Sequence, residues 1–488
     1  MTQVSEQTRR PPSQSSSLAL LIACSATFVA FLDLSVVNIA FPTIARDFAT
    51  AESTTLTWVV SGYAVAFAAL LTPAGRLADV LGRRRVFLTA LVGFALTSLM
   101  CAVAPSAPWL IGGRFLQGAA AALMIPAALA LVLAVTSSER IAAAIGAWSA
   151  AGGFAAVVGP AIGGALVESF GWRAVFVINV PIAAALVALG TRLRTDDTRA
   201  SDGPAPAGAL PDIAGTLAAT LGVGALVAGV TEGQRWGWAS PTTLSVLGVG
   251  LALLALALVR SRRHPSPAIA VDLWRNRRYA LSNATSFVFG AAMFAWLLAG
   301  PLFLDAIWGY TVLQSAGALS VGALAAMVTA TAAGRTGSAA TLRRLGVLGA
   351  LMFAGSALWM STDVFGAAHR LWSAWIPAGI LGGGGIGLIV TVLGTVAASS
   401  VPPHQFASGV GMNLMSRQVG GALGVAVLAA VFAANAGDAL AGFHALFLAC
   451  AVAAVVAGIL AATLTEGRGA RADGSTPSST LPIEIKEQ

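Results

Sequence analysis

Fourteen apolar runs follow one another along the 488 residues, at 18–41, 57–75, 86–105, 109–134, 141–166, 174–191, 210–231, 242–260, 280–303, 312–333, 343–361, 371–396, 405–434 and 440–464. A helix rises about 1.5 Å per residue, so about 20 such residues cross the roughly 30 Å hydrocarbon layer of a bilayer. No water is available there to satisfy backbone N–H and C=O groups, and a helix satisfies its own. The pattern predicts an all-α integral membrane protein with 14 transmembrane helices. Charged residues make up only 10% of the chain. Soluble domains carry about 25%, so a water-soluble fold is excluded.

An even number of spans puts both termini on one side, and the basic residues say which. Of the 28, all but Lys486 are Arg; 22 lie on the side of the N-terminus and 4 opposite it (Arg46, Arg173, Arg235 and Arg370), while Arg114 and Arg417 fall inside spans. Positive charge stays on the cytoplasmic side, so both termini are expected there, in a multi-pass protein of the cytoplasmic membrane. The same distribution argues against nucleic acid as a partner despite the net charge of +8, because the Arg residues sit in short inter-span segments and form no stripe. Trp58, Trp109, Trp172, Trp236, Trp238, Trp308, Trp359 and Trp372 fall near outer span ends, as an interfacial belt requires. Cys24, Cys101 and Cys450 lie within apolar runs, so no disulfide or metal site is expected. The first run is too long for a cleaved signal peptide and should remain as a span.

Two polar segments, 195–211 and 261–278, bracket spans seven and eight. They divide the chain into a tail (1–17), a six-helix bundle (18–194), a linker with two extra helices (195–278), a second six-helix bundle (279–465) and a polar tail (466–488). Transporters assembled from parallel repeats have this kind of arrangement.

Within the first run stands Asp33. An ionised acid near the bilayer centre costs roughly 2.5 to 3.5 kcal/mol on insertion scales, which makes it a functional candidate by default. It either takes part in a transport cycle by binding a proton or a cationic substrate, or bonds structurally between packed helices. Arg114, in the fourth run, stays charged and needs a partner. Asp33 is one candidate; backbone carbonyls or Gln117 are the other. Between spans two and three, Gly75, Asp79, Gly82, Arg83 and Arg84 form a tight, charged connection in which Asp79 can accept from Arg or cap a helix. In span five Gly152, Ala156, Gly159 and Gly163 share one face nearly free of side chains, and Pro160 removes a backbone hydrogen bond beside them.

These stretches resemble the major facilitator superfamily, and in it the fourteen-span drug:proton antiporter subfamily. Gly75-Arg76-Leu77-Ala78-Asp79-Val80-Leu81-Gly82-Arg83-Arg84-Arg85 is similar to the family's signature loop. The segment from Leu32 to Pro42 resembles the subfamily's first-helix motif, with Ser35 where Thr is usual. Arg114-Phe115-Leu116-Gln117-Gly118 resembles its fourth-helix motif, and Gly146 to Gly164 its antiporter motif, with Ala155 in place of a usual Gly. The resemblance implies two six-helix bundles plus two inserted helices. It also implies an ion-pair latch at the signature loop, and proton coupling through Asp33 and Arg114 with no cofactor beyond the proton gradient. Gly146, Gly152, Gly159, Pro160, Gly163 and Gly164 would form a sealing helix about which the bundles rock.

The function expected on this basis is export of a lipophilic or amphipathic, often cationic, drug or antibiotic in exchange for protons, by a monomer in the lipid bilayer. Asp33 would be protonated from outside, and the incoming substrate would displace that proton. Candidate pocket residues are Asn38, Gln117, Trp148, Trp296, Asp305 and Arg417. Asp305 also reads as an interfacial acid facing water, Trp148 and Trp296 read more readily as packing or lipid-facing residues, and Glu168 reads as a solvated partner of Arg173. A proton-coupled uptake symporter or lipid translocator on the same scaffold is the alternative. An enzyme or an ATP-driven pump is not indicated, since the chain has neither a His-Glu-x-x-His pair nor a P-loop.

Overall fold

The computed structural model describes residues 14–49, 53–137, 140–192, 212–264, 267–336, 338–435 and 437–464. The segment 195–211, the tail 466–488 and the basic residues Arg9, Arg10, Arg194, Arg199, Arg468, Arg471 and Lys486 lie outside them. All fourteen expected spans are helices, and no strand occurs among the described residues. The first six are α1 (Gln14–Asp47), α2 (Trp58–Leu81), α3 (Arg83–Ala102), α4 (Ala107–Ala134), α5 (Ile141–Phe170) and α6 (Ala174–Thr191). Next come α7 (Ile213–Trp236) and α8 (Pro241–Ser261). The last six are α9 (Arg277–Ala306), α10 (Val312–Gly334), α11 (Ala339–Met360), α12 (Leu371–Ser399), α13 (Phe406–Ala434) and α14 (Ala439–Ala462).

Several helices outrun their apolar windows: α1 continues through Pro42 to Asp47, and α9 begins at Arg277. Hydropathy marks where a helix leaves the hydrocarbon layer, whereas capping marks where it ends. The Asn276 side chain accepts from the Arg278 and Tyr279 amides to start α9, and Asp212 accepts from Gly215 to start α7.

Helices α1 to α6 pack on one another with α4 at the centre, where 83% of its apolar window is buried. Helices α9 to α14 form a second group around an aromatic cluster in which Phe303 touches Trp308, Trp375 and Phe443. Trp172 and Trp308, expected in the interfacial belt, are each 3% exposed and bond to Asp47 and to the Gly366 carbonyl. Neighbouring loops cover them, and they pack in place of anchoring to lipid.

Two pairings dominate between the groups, α2 against α13 and α5 against α10, with lesser contacts of α5 with α12 and of α4 with α13. Counted within each group, helix two of one faces helix five of the other, twice. That is the relation expected of two parallel repeats about an axis along the membrane normal. The inserted pair behaves differently: α7 lies against both α2 and α13, and α8 against α7. Only 17% of the α8 window is buried, with Leu244, Val249, Leu251 and Leu256 directed outward, as lipid contact requires.

Backbones meet where glycine permits it. A side chain at Gly75 would collide with the Ala407 carbonyl, one at Gly411 with the Leu71 carbonyl, and one at Gly146 with Ala330. All three contacts lie toward the end carrying the α2–α3 connection. Gly75→Val should therefore shift the population away from this arrangement. In hydrogen exchange, amide protection over residues 403–411 should fall about tenfold or more, since even 1.4 kcal/mol of overlap changes an equilibrium tenfold. Unchanged protection would contradict this view of the contact.

Candidate functional site

Asp33 faces the interior of the first bundle. Its Oδ2 meets Arg114 Nη1 at 2.6 Å, and both side chains are 0% exposed. Gln117 Nε2 donates to Asp33 Oδ1 at 2.9 Å and Asn179 Nδ2 donates to the same oxygen at 2.7 Å. Gln117 and Asn179 also donate to Ser98 Oγ, at 2.6 and 3.2 Å. Arg114 donates further to Gln117 Oε1 at 2.6 Å and through Nε to the Val59 carbonyl at 2.9 Å. Its guanidinium carbon lies 4.4 Å from the Tyr63 ring centroid and 5.8 Å from that of Phe176. Helices α1, α2, α3, α4 and α6 thus converge on one charged pair. Both readings of Arg114 hold together, since it binds Asp33, a backbone carbonyl and Gln117 at once.

A cavity of about 450 Å³ lies between the bundles. Phe31, Leu34, Ser35 and Asn38 of α1 line one side of it; Asp33 and Arg114 do not. Trp148, Trp296 and Arg417 line it as well. Trp296 donates to Met360 Sδ at 3.3 Å, while Trp148 Nε1 is buried without a partner. Two expected pocket residues belong elsewhere. Gln117 is fully buried in the Asp33 cluster, because its place one turn after Arg114 on α4 faces the bundle core. Asp305 is exposed near the end of α9, off the cavity, where an interfacial acid remains hydrated.

The signature loop joins the bundles through a helix cap. Asp79 accepts from the Ala407 and Ser408 amides at 3.2 and 2.7 Å and from Ser408 Oγ at 2.7 Å, so its carboxylate covers the N-terminus of α13. Arg83 holds that carboxylate at 3.0 Å and also donates to the Pro403 carbonyl. Gly82, at φ 96°, makes the turn that a side chain would resist. Arg84 does not join the latch: it donates to the Gly190 and Thr191 carbonyls at 3.2 and 2.8 Å and closes the C-terminus of α6 within its own bundle.

The small-residue face of α5 also serves a different neighbour from the one expected. Gly159 and Gly163 press on Ser35 and Val36 of α1, and Gly152 meets Phe31 and Thr27. This face joins α5 to α1 inside the first bundle; Gly146 makes the close approach to the second. The Ala156 side chain lies outside the described set, Ala155 is fully buried, and a side chain added at Gly164 would meet nothing within 4 Å. Pro160 stands inside an unbroken helix. Arg173 pairs with Asp47 at 3.0 Å in place of Glu168.

Sequence reasoning did not assign Asn179, Ser98, Tyr63 or Ser408 to a site. A lone Asn within an apolar run was the available signal for Asn179, since such a group needs a buried partner. Nothing comparable marks Ser98 or Ser408. Among the described residues no cluster of three or more His, Cys, Asp or Glu is placed to hold a metal ion.

Two helical bundles facing each other across a cavity, latched at one end and built from membrane-length helices, define a membrane transporter. The chain belongs to the major facilitator superfamily, whose description, Major Facilitator Superfamily, matches residues 23–425. It is 34% identical over 429 residues to the Multidrug resistance protein Stp of Mycobacterium tuberculosis, covering 86% of this chain and 76% of that one. It is 31% identical over 431 residues to the Probable actinorhodin transporter of Streptomyces coelicolor, covering 86% and 73%. The crystal structure of the human organic anion transporter MFSD10 (TETRAN) matches with a TM-score of 0.69 over 93% of this chain and 100% of that one, at 15% identity, which bears on the fold alone.

Removing one member of a buried ion pair leaves the other uncompensated, at about 3 to 5 kcal/mol. Asp33→Ala should thus lower the melting temperature of the purified protein, as should Asp33→Asn, which also lacks the charge and turns an amide donor toward groups that donate. The double variant Asp33→Ala/Arg114→Met should regain most of the loss. A melting temperature in Asp33→Ala equal to that of the parent would argue against the pair as a stabilising contact.

Proposed function

We propose that the protein exports lipophilic or amphipathic drugs or antibiotics across the cytoplasmic membrane in exchange for protons, with both termini in the cytoplasm. The observation that carries this reading is the placement of Asp33 on α1, buried against Arg114 on one side of the helix while Phe31, Leu34 and Ser35 line the cavity on the other. Resistance and transport in the names of the relatives support a drug-exporting role.

Coupling on this arrangement runs through the helix. Substrate in the cavity does not touch Asp33, so direct displacement of a proton, as expected from sequence, gives way to a mechanical link. The three groups around the carboxylate (Arg114, Gln117 and Asn179) all donate, and together they suit an acid that carries no proton. Proton uptake would turn one acceptor oxygen into a donor and uncouple Arg114. That frees α1 to shift against α4, with the flat α5 face providing the surface along which it moves. The latched α2–α13 contact is then the closed cytoplasmic gate, and its release turns the cavity toward the cytoplasm. Inward proton movement supplies about 2.3 kcal/mol per charge for each 100 mV.

In energised inverted vesicles carrying the parent protein, a lipophilic fluorescent dye should accumulate as long as the proton gradient lasts, with or without ATP. Asp33→Asn should insert normally and abolish that accumulation. Parental rates in the Asp33→Asn vesicles across the working pH range would remove Asp33 from the coupling.

A further inference from the structure

The central cavity has an uneven charge inventory. Among the described residues that line it, Arg417 is the only charged one, and no carboxylate is present. Arg417 makes no hydrogen bond, ion pair or ring contact with any described residue, and its side chain is half-buried against the cavity. The other intramembrane arginine, Arg114, is neutralised by Asp33 and bonds to Gln117 and a carbonyl as well. Three further donors on residues that line the same space have no partner: Trp148 Nε1, on a side chain 5% exposed, Ser149 Oγ, and Thr27 Oγ1, on one 1% exposed. The backbone beside Arg417 is held firmly, since Gly290 of α9 abuts its carbonyl and Gly420 abuts Phe287. The guanidinium is therefore presented from a rigid helix pair.

An uncompensated cation in an apolar, membrane-embedded space is costly unless something of opposite charge enters. A guanidinium offers a planar fork of donors that fits a carboxylate in two parallel hydrogen bonds, or a phenolate oxygen in two converging ones. The remaining lining is apolar and aromatic, and about 450 Å³ lies within the range of small-molecule sites, roughly 300 to 1,000 Å³. We infer that the cavity is a site for lipophilic aromatic organic anions, with Arg417 as counter-ion, and that cations are disfavoured. This inference rests on the cavity being the transport site, and it departs from the cationic compound expected from sequence.

The test uses the full-length protein in detergent and two xanthene dyes of similar shape and opposite charge, fluorescein and rhodamine 123, with binding read by fluorescence anisotropy. The unmodified protein should bind fluorescein saturably and at least about tenfold more tightly than rhodamine 123. Arg417→Gln should weaken fluorescein about tenfold or more while leaving rhodamine 123 unchanged or tighter, and Arg417→Lys should recover part of the loss. No saturable fluorescein binding, tighter binding of rhodamine 123, or an Arg417→Gln protein that holds fluorescein as well as the parent would overturn the assignment. The comparison of the two dyes on the unmodified protein needs no variant, so a poorly folding Arg417→Gln does not rescue the idea. Binding as expected without gradient-driven uptake of fluorescein into inverted vesicles would sink the export reading and leave the anion site standing.

Discussion

The bond between Asp33 and Arg114 sets the terms for the first bundle. Neither charge survives beside lipid, so five helices must surround them, and each neighbour that touches the pair has to offer the right polarity. Arg114 still keeps Nη2 without a hydrogen-bond partner, with the Tyr63 ring over the guanidinium, and Asn179 keeps Oδ1 unbonded. A buried cluster with spare donors and acceptors is held less firmly than a fully satisfied one, because a small shift can exchange partners at little cost. That property suits an element that must rearrange. A core of Leu and Phe at the same place would be more stable and would have only one arrangement.

A second contact of the same kind, between bundles, has the opposite character. Asp79 uses its carboxylate as the N-cap of a helix that belongs to the other bundle, so the exposed amides of α13 are satisfied only while the bundles touch. Opening that end returns those amides to water, which satisfies them almost as well. The latch is thus strong enough to choose a state and weak enough to leave it. Glycines at 75 and 411 let the two backbones approach so that the cap can reach.

How far the chain could be read in advance depended on the range of the physical signal. Span number and position follow from a local quantity, apolar length, and all fourteen emerged with shifts of a few residues at the ends, where caps such as Asn276 take over from hydropathy. The polar residues inside spans were equally visible, because Asp33, Arg114 and Arg417 violate the composition around them. Which way each one faces was not. Gln117 and Arg114 share a helix face through their spacing of three, yet nothing local says that the face meets α1 and not the cavity. Arg83 and Arg84 are adjacent, and consecutive residues on a helix point about 100° apart, so one reaches the second bundle and the other its own. The α5 face was legible as flat, but the identity of its partner, α1, required the tertiary arrangement.

On the proposed coupling, α1 is the element on which proton and substrate would meet without touching. Its inward face carries the acid; its outward face, one and two residues along, forms the cavity wall. A contact made on Leu34 or Ser35 and a proton taken by Asp33 would be separated by the width of one helix, and the same rigid body would respond to both. Gly159 and Gly163 remove the side chains that would lock that body in place against α5. Coupling across a helix has a consequence that coupling by direct exchange lacks: the carboxylate need not resemble the substrate's counter-ion, so the charge of the transported compound is free to be set by whatever lines the cavity.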